Sequence, residues 1–444
     1  MKISSILGLN ARSQLFSYSY NSLRGKKIAR SKILTNRILR HAQIPTPKIY
    51  KKFKNPSDIF NFDWSSLPSS FAVKPSKGLG GEGIIIVKKK LNFSSERSRT
   101  SWITTQRRRV SVDDLQLHIL DVLEGAYSVG NVADVAFVQE YVGRHNAFRR
   151  YAFRGTPDIR IIVFNKVPVM AMLRLPTRES GGRANLHQGA MGVGVDIATG
   201  ITTKAIWHGN EIRQKPGTKR KLHGIKIPDW DNILELAVRS QEASGLGYLG
   251  VDIVLHPEKG PMVLELNAHP GLQIQLANES GLKKRLERIE DLEVRGSGHG
   301  VKIAKSLFAE RFLDRVKAEE GIKIVKASEE VKVLTPKGEK FRIVAKIDTG
   351  AWSSSIDKSL AESLGLLDKD RILWYKKKIS SLGSQDRPVI PLTFWIAGRK
   401  INTHVSISDR NDLTYQLLIG RIDLAGFLVN PEIDKEKLTQ AKKW

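Results

Sequence analysis

The chain has 444 residues, 73 Lys+Arg against 45 Asp+Glu for a formal net charge of +28, and no cysteine. At ~150 residues per domain, the length predicts two or three domains with ample core, and the missing cysteine excludes disulfides, thiolate metal sites and a thiol nucleophile. No apolar run approaches the ~18 residues that span a membrane, and the opening MKISSILGLNARSQ has too short an apolar core for a secretory signal, so a cytoplasmic protein is expected.

In chain order, Ser31–Gln43 reads as a helix ended by Ile44-Pro45-Thr46-Pro47. In SFAVKPSKGLGGEGIIIVKKK (70–90) a lysine leaves an apolar strand, a glycine-rich loop follows, and a second strand begins. Gly78, Gly80 and Gly83 have the G-x-G-x-x-G spacing, which is weak alone. A dinucleotide fingerprint must open a helix, whereas Ile84–Val87 is a β-branched run, and no G-K-[ST] ending marks a Walker A loop. What remains is a strand–loop–strand flap whose bare N–H groups can approach phosphates, with Lys74 adding charge. An ordinary glycine-rich hairpin is the plainer alternative. A polar, arginine-bearing stretch (91–110), a helix (Asp113–Glu124) and a buried strand (136–142) follow. Residues 158–176 read as two strands around an Asn165-Lys166 turn, 179–194 as a glycine-rich loop, and 231–244 as an amphipathic helix.

LGVDIVL (249–255) and MVLELNA (262–268) flank the turn HPEKGP. If that connection closes symmetrically, Asp252 faces Glu265, and Asn267 shares their face while Leu266 points into a core. Two buried carboxylates side by side repel unless a cation lies between them, and hard oxygen ligands suit magnesium or manganese. A solvated acidic pair is the alternative. A charged helical connector precedes a second zone, 331–432, rich in short strands, and the chain ends in a Lys-rich tail.

The charge is uneven, with +22 in the first 325 residues and +6 in the rest. Such a surface attracts polyanions: nucleotide phosphates, acidic peptides or nucleic acid. A generally basic solubility device explains it equally well. The Arg107–Arg109 run lacks aromatic stacking partners, so nucleic acid is not the expected partner.

From about Ile6 to Lys305 the sequence resembles the ATP-grasp superfamily, and within it the alpha-L-glutamate ligase-like (RimK-related) proteins. The resemblance rests on SKILTNRILRHAQIPTP, AVKPSKGLGGEGI, VQEYV, GTPDIR, MLRLPTRESGGRANLHQGA and GVDIVLHPEKGPMVLELNAHPGL, in the expected order. It implies that Lys32 and Lys74 bind nucleotide under the flap glycines Gly78, Gly80, Gly81 and Gly83. Gln139, Glu140 and Val142 match the interlobe hinge that meets adenine and ribose, and Asp158 a position near the nucleotide. Arg160 matches a position that shapes the substrate cleft. Arg174, Arg183 and Asn185 match positions holding phosphates or an acyl phosphate, and Asp252, Glu265 and Asn267 the metal triad. His187 and His269 receive no catalytic role.

The chemistry implied is activation of a carboxylate by ATP to an acyl phosphate, which an amine attacks to give an amide, ADP and phosphate. Positioning and charge neutralisation carry such a reaction, and no protein nucleophile is needed. One departure is that Lys32 arrives after only 31 residues, where many ATP-grasp enzymes carry a full preceding α/β domain. An atypical kinase is the rival enzyme, disfavoured by the absence of H-R-D and D-F-G. A nonenzymatic basic nucleotide- or nucleic-acid-binding protein is the third reading.

Residues 331–432 resemble the retropepsin-like RimB family, also labelled ATP-dependent zinc proteases, through AKIDTGAWSSSID, RPVIPLTFWIAGRKINTHVSISDR and YQLLIGRIDLAGFLVNP. Asp348 opens D-T-G after an apolar strand, and LLIG follows some seventy residues later. Aspartic proteolysis needs two carboxylates sharing a proton, so one D-T-G per chain implies a dimer; recognition without cleavage is the alternative. A zinc site finds no support, since there is no H-E-x-x-H and no cysteine.

The expected architecture is therefore an α+β ATP-grasp fold followed by a small all-β retropepsin-like barrel. Residues 1–310 form the ligase domain, with flap 74–84 and metal hairpin 249–268. A charged helical connector (311–330), the protease-like domain (331–432) and a basic tail (433–444) follow. The expected cofactors are ATP and magnesium or manganese, and the partners an amino acid and a peptide or protein acceptor, with no membrane.

Overall fold

Ser31 stops one helix and starts the next: its hydroxyl accepts the Leu34 N–H and caps Lys32–His41, which buries Thr35 and Leu39. The computed structural model describes residues 5–78, 80–91, 100–128, 130–308, 323–380, 383–410 and 413–432. It divides into two units, Met1–Asp291 with Gly296–Val301, and Leu292–Arg295 with Lys302–Trp444.

The first unit holds two antiparallel sheets. One contains β1 (Ile49–Phe53), β2 (Phe71–Pro75), β3 (Ile85–Leu91), β4 (Ser101–Thr104), β5 (Arg109–Ser111) and β6 (Ala136–Glu140), in the order β1-β6-β2-β3-β4-β5. Its covered face packs Phe53, Phe71, Val87 and Trp102 against Leu115 and Ile119 of the helix Val112–Leu123, which Ser111 and Asp114 close with a capping box. The other contains β7 (Asp158–Phe164), β8 (Val167–Leu175), β9 (Met191–Val195), β10 (Thr202–Trp207), β11 (Asn210–Ile212), β12 (Tyr248–His256) and β13 (Gly260–Asn267). Its order is β11-β10-β9-β8-β7-β12-β13. Asn165 and Lys166 both take positive φ, joining β7 to β8 as a two-residue hairpin.

The second unit carries β14 (Lys323–Val325) through β22 (Phe427–Val429). Its main sheet runs β15 (Ser328–Leu334), β16 (Lys340–Asp348), β21 (Leu417–Gly420), β17 (Ser355–Asp357), β20 (Arg399–Ser408), β19 (Gly383–Ile396) and β18 (Trp374–Ser380). An extra β15–β19 pairing closes six of these strands into a barrel around Val331, Ile343, Phe394, Val405 and Ile419.

Three expectations change. The arginine-bearing stretch 91–110 supplies strands β4 and β5, because Trp102 is fully buried and anchors them. The glycine-rich loop 179–194 ends early, since Met191 and Val193 are buried in β9. The helical connector fails where it can be seen: 323–330 enters strands β14 and β15, with Val325 buried. The connector's residues up to 322, Leu79 of the flap and the tail from 433 lie outside the described residues.

Candidate functional site

The flap is fastened from two directions. The Lys32 ammonium, at the first turn of its helix, donates to the Gly78 carbonyl at 2.6 Å, and Asn185 Nδ2 donates to the Gly80 carbonyl at 3.1 Å. Gly80, Gly81 and Gly83 all take positive φ. Behind the flap, His118 Nε2 lies 2.9 Å from the Gly83 carbonyl, and a Cβ on Gly83 would meet the Tyr127 ring at 2.5 Å. Gln188 Oε1 is buried beside the loop with no hydrogen-bond partner among the described residues. His118, Tyr127 and Gln188 were not legible in sequence, because nothing in their spacing points to the flap.

Lys74 extends from β2 and donates to Gln139 Oε1 on the paired strand β6 at 2.8 Å. Burial and the nearby Lys32 charge pull its pKa down to about 8, against the opposing pull of Glu265. Two lysines and a glycine loop thus share one cleft with surplus positive charge. Val142 joins Val254 and Met262 in a small apolar cluster against Leu264. Glu140 accepts from the Lys48 N–H at 3.0 Å and pairs with Lys259, which together hold it below the ordinary carboxylate range although burial pushes it up.

Strand register builds the carboxylate group. Asp158 pairs across with Arg174, while Arg160, Asp252 and Glu265 form one row across β7, β12 and β13. Arg160 grips Asp252 through Nε and Nη2, both at 2.7 Å, and Arg174 Nη2 reaches the same carboxylate at 2.7 Å. Asn267 Nδ2 adds a fourth donor at 3.3 Å. Burial alone would raise Asp252, but the two guanidiniums hold it well below the usual range. Asp158, which shares only Arg174, is pushed by burial up to about 6.

Where the sequence places a cation between Asp252 and Glu265, the positive charge opposite Asp252 here comes from Arg160 and Arg174. Sequence marked Arg160 and Arg174 for the substrate and its phosphates, whereas here both bind protein carboxylates. The Glu265 carboxylate makes no hydrogen bond or ion pair among the described residues, and neither does the exposed Arg183 guanidinium, which lies beside Gly81. The donors offered by Asp252, Glu265 and Asn267 are all hard oxygens, which suits magnesium. No three His, Asp or Glu side chains converge among the described residues, so the Asn267 amide is needed to complete a set. Because Asp252 already accepts four N–H groups, a carboxylate's full complement, a cation reaching it must displace one.

Two antiparallel sheets, with a glycine flap and paired lysines facing a carboxylate group, define a nucleotide-clasping fold. The chain belongs to the sugar-transfer-associated ATP-grasp family, which matches residues 11–291. It is 25% identical over 245 residues to a probable alpha-L-glutamate ligase of Xanthomonas oryzae pv. oryzae, covering 55% of this chain and 58% of the relative. It is 30% identical over 139 residues to another from Maridesulfovibrio salexigens, 31% of each. Against the solved ATP-grasp ligase PsnB with its minimal precursor, the TM-score is 0.31 at 17% identity, over 61% of this chain and 62% of that one. The chain thus spans less than two thirds of each of these proteins, and a superposition this loose carries no functional argument. No helix among the described residues is long and apolar enough to cross a membrane.

In the second unit, Asp348 ends β16, and its Oδ1 accepts the Gly350 and Ala351 N–H groups at 2.9 and 3.1 Å. β16 runs parallel to β21, with Asp348 beside Gly420. Burial pushes Asp348 up, but those N–H groups and Lys346 hold it below the ordinary range. Ser354 links Gly420 N–H to the buried Asp423, fixing the LLIG segment beneath the turn.

Proposed function

We propose that the first unit is an ATP- and magnesium-dependent carboxylate–amine ligase, joining an amino acid such as glutamate to a peptide or protein through an acyl phosphate. The observation that carries this reading is the cleft of Lys32 and Lys74 beneath a flap tied to Asn185, with Glu265 left uncommitted nearby. Lys32, Lys74 and the flap N–H groups would hold the phosphates of ATP and exclude water. The Val142 cluster would form an apolar wall for the base. Glu265, Asn267 and Asp252 would hold magnesium, which when bound offsets phosphate charge. Arg183 and Asn185 would steady the transferred phosphoryl group, and Arg174, freed in part from Asp252, would join them. The names of the relatives support glutamate as the amino acid, and the family description leaves the acceptor open.

Incubation with ATP, magnesium, mixed amino acids and candidate peptide acceptors tests the reading. Ligation releases phosphate in step with amide formation seen by mass spectrometry. A stable phosphoester would identify a kinase instead, and ATP binding without turnover a nonenzymatic protein.

We further propose that the second unit is retropepsin-like and trims or recognises the ligated product. What supports it is Asp348 on a D-T-G turn backed by LLIG inside a closed barrel. With a single D-T-G, cleavage would require a second chain.

A further inference from the structure

Helix Lys32–His41 points its first residue at the flap, but its other end serves no part of that cleft. Arg37, Arg40 and His41 lie on one helical face and line, with Tyr50, Lys51 and Lys52 of β1, a cavity of about 560 Å³. That volume suits a ligand of several residues. No carboxylate lines it, and the side chains of Arg37, Arg40, His41 and Lys52 make no hydrogen bond or ion pair among the described residues. Glu140, whose charge acts on Tyr50, is already paired with Lys259. None of the lining residues belongs to the nucleotide or carboxylate groups.

Two ordinary explanations cover only part of this. Arg40 and His41 in the last helical turn complement the helix dipole, and lysines on an edge strand deter unwanted pairing. Neither places Arg37 opposite Lys52 around one cavity. β1 is moreover the outermost strand of its sheet, with its far side unpaired among the described residues. An edge strand beside uncommitted cations fits an extended chain carrying carboxylates, which can add as a strand while its side chains meet the arginines.

We propose that this cavity and the β1 edge form a docking site for an acidic, extended peptide segment, separate from the nucleotide cleft. By the helical rise, Arg40 stands ~12 Å along the axis from Lys32, so a docked segment would run close to the flap without entering it. Binding requires neither nucleotide nor turnover and is independent of the ligase reading.

Fluorescence anisotropy of the full chain with labelled decaglutamate tests it, in the presence of saturating ADP. Wild type is expected to bind with an affinity that falls steeply with salt. The Arg37→Gln/Arg40→Gln double variant, and separately Lys52→Gln, should bind at least tenfold and several-fold more weakly, with unchanged circular dichroism and ATP affinity. Decaglutamate N-methylated at alternate residues keeps the charge but cannot pair as a strand, and should bind at least tenfold more weakly than the unmodified peptide. The proposal is overturned if wild type does not bind decaglutamate, if the double variant binds it as wild type does, or if the N-methylated peptide binds equally well. It is also overturned if only a ten-nucleotide oligothymidylate loses affinity in the double variant, which would mark a nucleic-acid surface. ATP affinity and ligation, read separately, report on the nucleotide cleft alone.

Discussion

Arg174 binds two carboxylates on two strands: its Nε and Nη2 hold Asp158 at 2.5 and 2.7 Å, and Nη2 also holds Asp252 at 2.7 Å. With Arg160 completing the group, Asp252 is a structural hub as well as a candidate ligand, whereas the carboxylate of its row neighbour Glu265 makes no hydrogen bond or ion pair among the described residues and acts on Lys74 only through its charge. The two acids should therefore separate on mutation. Asp252→Ala leaves the half-buried Arg160 guanidinium without its carboxylate and takes one of the two carboxylates from buried Arg174, and should cost about 3–5 kcal/mol in urea denaturation. Glu265→Ala should change stability by no more than about 0.5 kcal/mol yet abolish ATP turnover. Wild-type turnover in Glu265→Ala would remove it from the cation set.

Lys74 is charged at neutral pH at the expense of the folded state. Its folded pKa of about 8 lies below the unfolded value, so the unfolded chain binds the extra proton between about 8 and 10.5. The penalty is complete below pH 8 and vanishes as pH rises through 10.5. Lys74→Met should accordingly raise the Tm of the nucleotide-free protein by roughly 2–4 °C at pH 7, the shift of about 1 kcal/mol, and by nothing near pH 10.5. The same variant should weaken ATP binding at least tenfold by calorimetry. Wild-type ATP affinity in that variant would reject the phosphate role.

Gly83 tests whether flap geometry matters to nucleotide. Alanine there must adopt positive φ and also overlap the Tyr127 ring, whereas at Gly130, also at positive φ, a Cβ meets nothing within 4 Å. Gly83→Ala should cost about 2–4 kcal/mol and raise the KM for ATP several-fold, while Gly130→Ala should cost about 1 kcal/mol and leave KM unchanged. Equal effects would mean that the Tyr127 contact is unimportant.

Local pattern revealed much of this site, and the particulars show where it stops. The pairing of Asp252 with Glu265 followed from strand lengths, yet it arises differently than symmetric closure assumes. His256 pairs with Gly260 across a short turn, and the register then shifts between Asp252 and Ile253, bringing Glu265 opposite Asp252. Without that bulge Asp252 would face Leu264, since one residue of slip exchanges the faces of a strand. A turn's sequence does not announce a bulge a few residues further along the strand. The Asn165-Lys166 turn was legible because two residues between β-branched runs leave little choice of geometry. The arginine bridge was not, because it joins β8 to β12 through β7, a neighbour relation that only the sheet order supplies. Trp102 likewise pins β4 inside a stretch whose polarity reads as loop.

Asp348 offers the sharpest test of the second unit. In a single chain its carboxyl lies below the ordinary range, held by the Ala351 and Gly350 N–H groups and by Lys346 despite burial. A lone carboxylate so stabilised stays ionised through neutral pH and cannot donate the proton that aspartic proteolysis requires. Pairing with a second Asp348 at a two-fold axis would reverse this, because two carboxylates at close range cannot both ionise, and one pKa must rise. Cleavage is therefore expected only in a dimer, with activity greatest at acidic pH and falling as the shared proton is lost. Asp348→Asn should remove peptide cleavage at every pH without altering ATP-dependent ligation, whose groups lie in the first unit. Sedimentation alongside a peptide-cleavage assay decides between the readings. A strictly monomeric protein that cleaves would rule out the paired-aspartate mechanism, and a dimer that never cleaves from pH 3 to 8 would leave the barrel a recognition module.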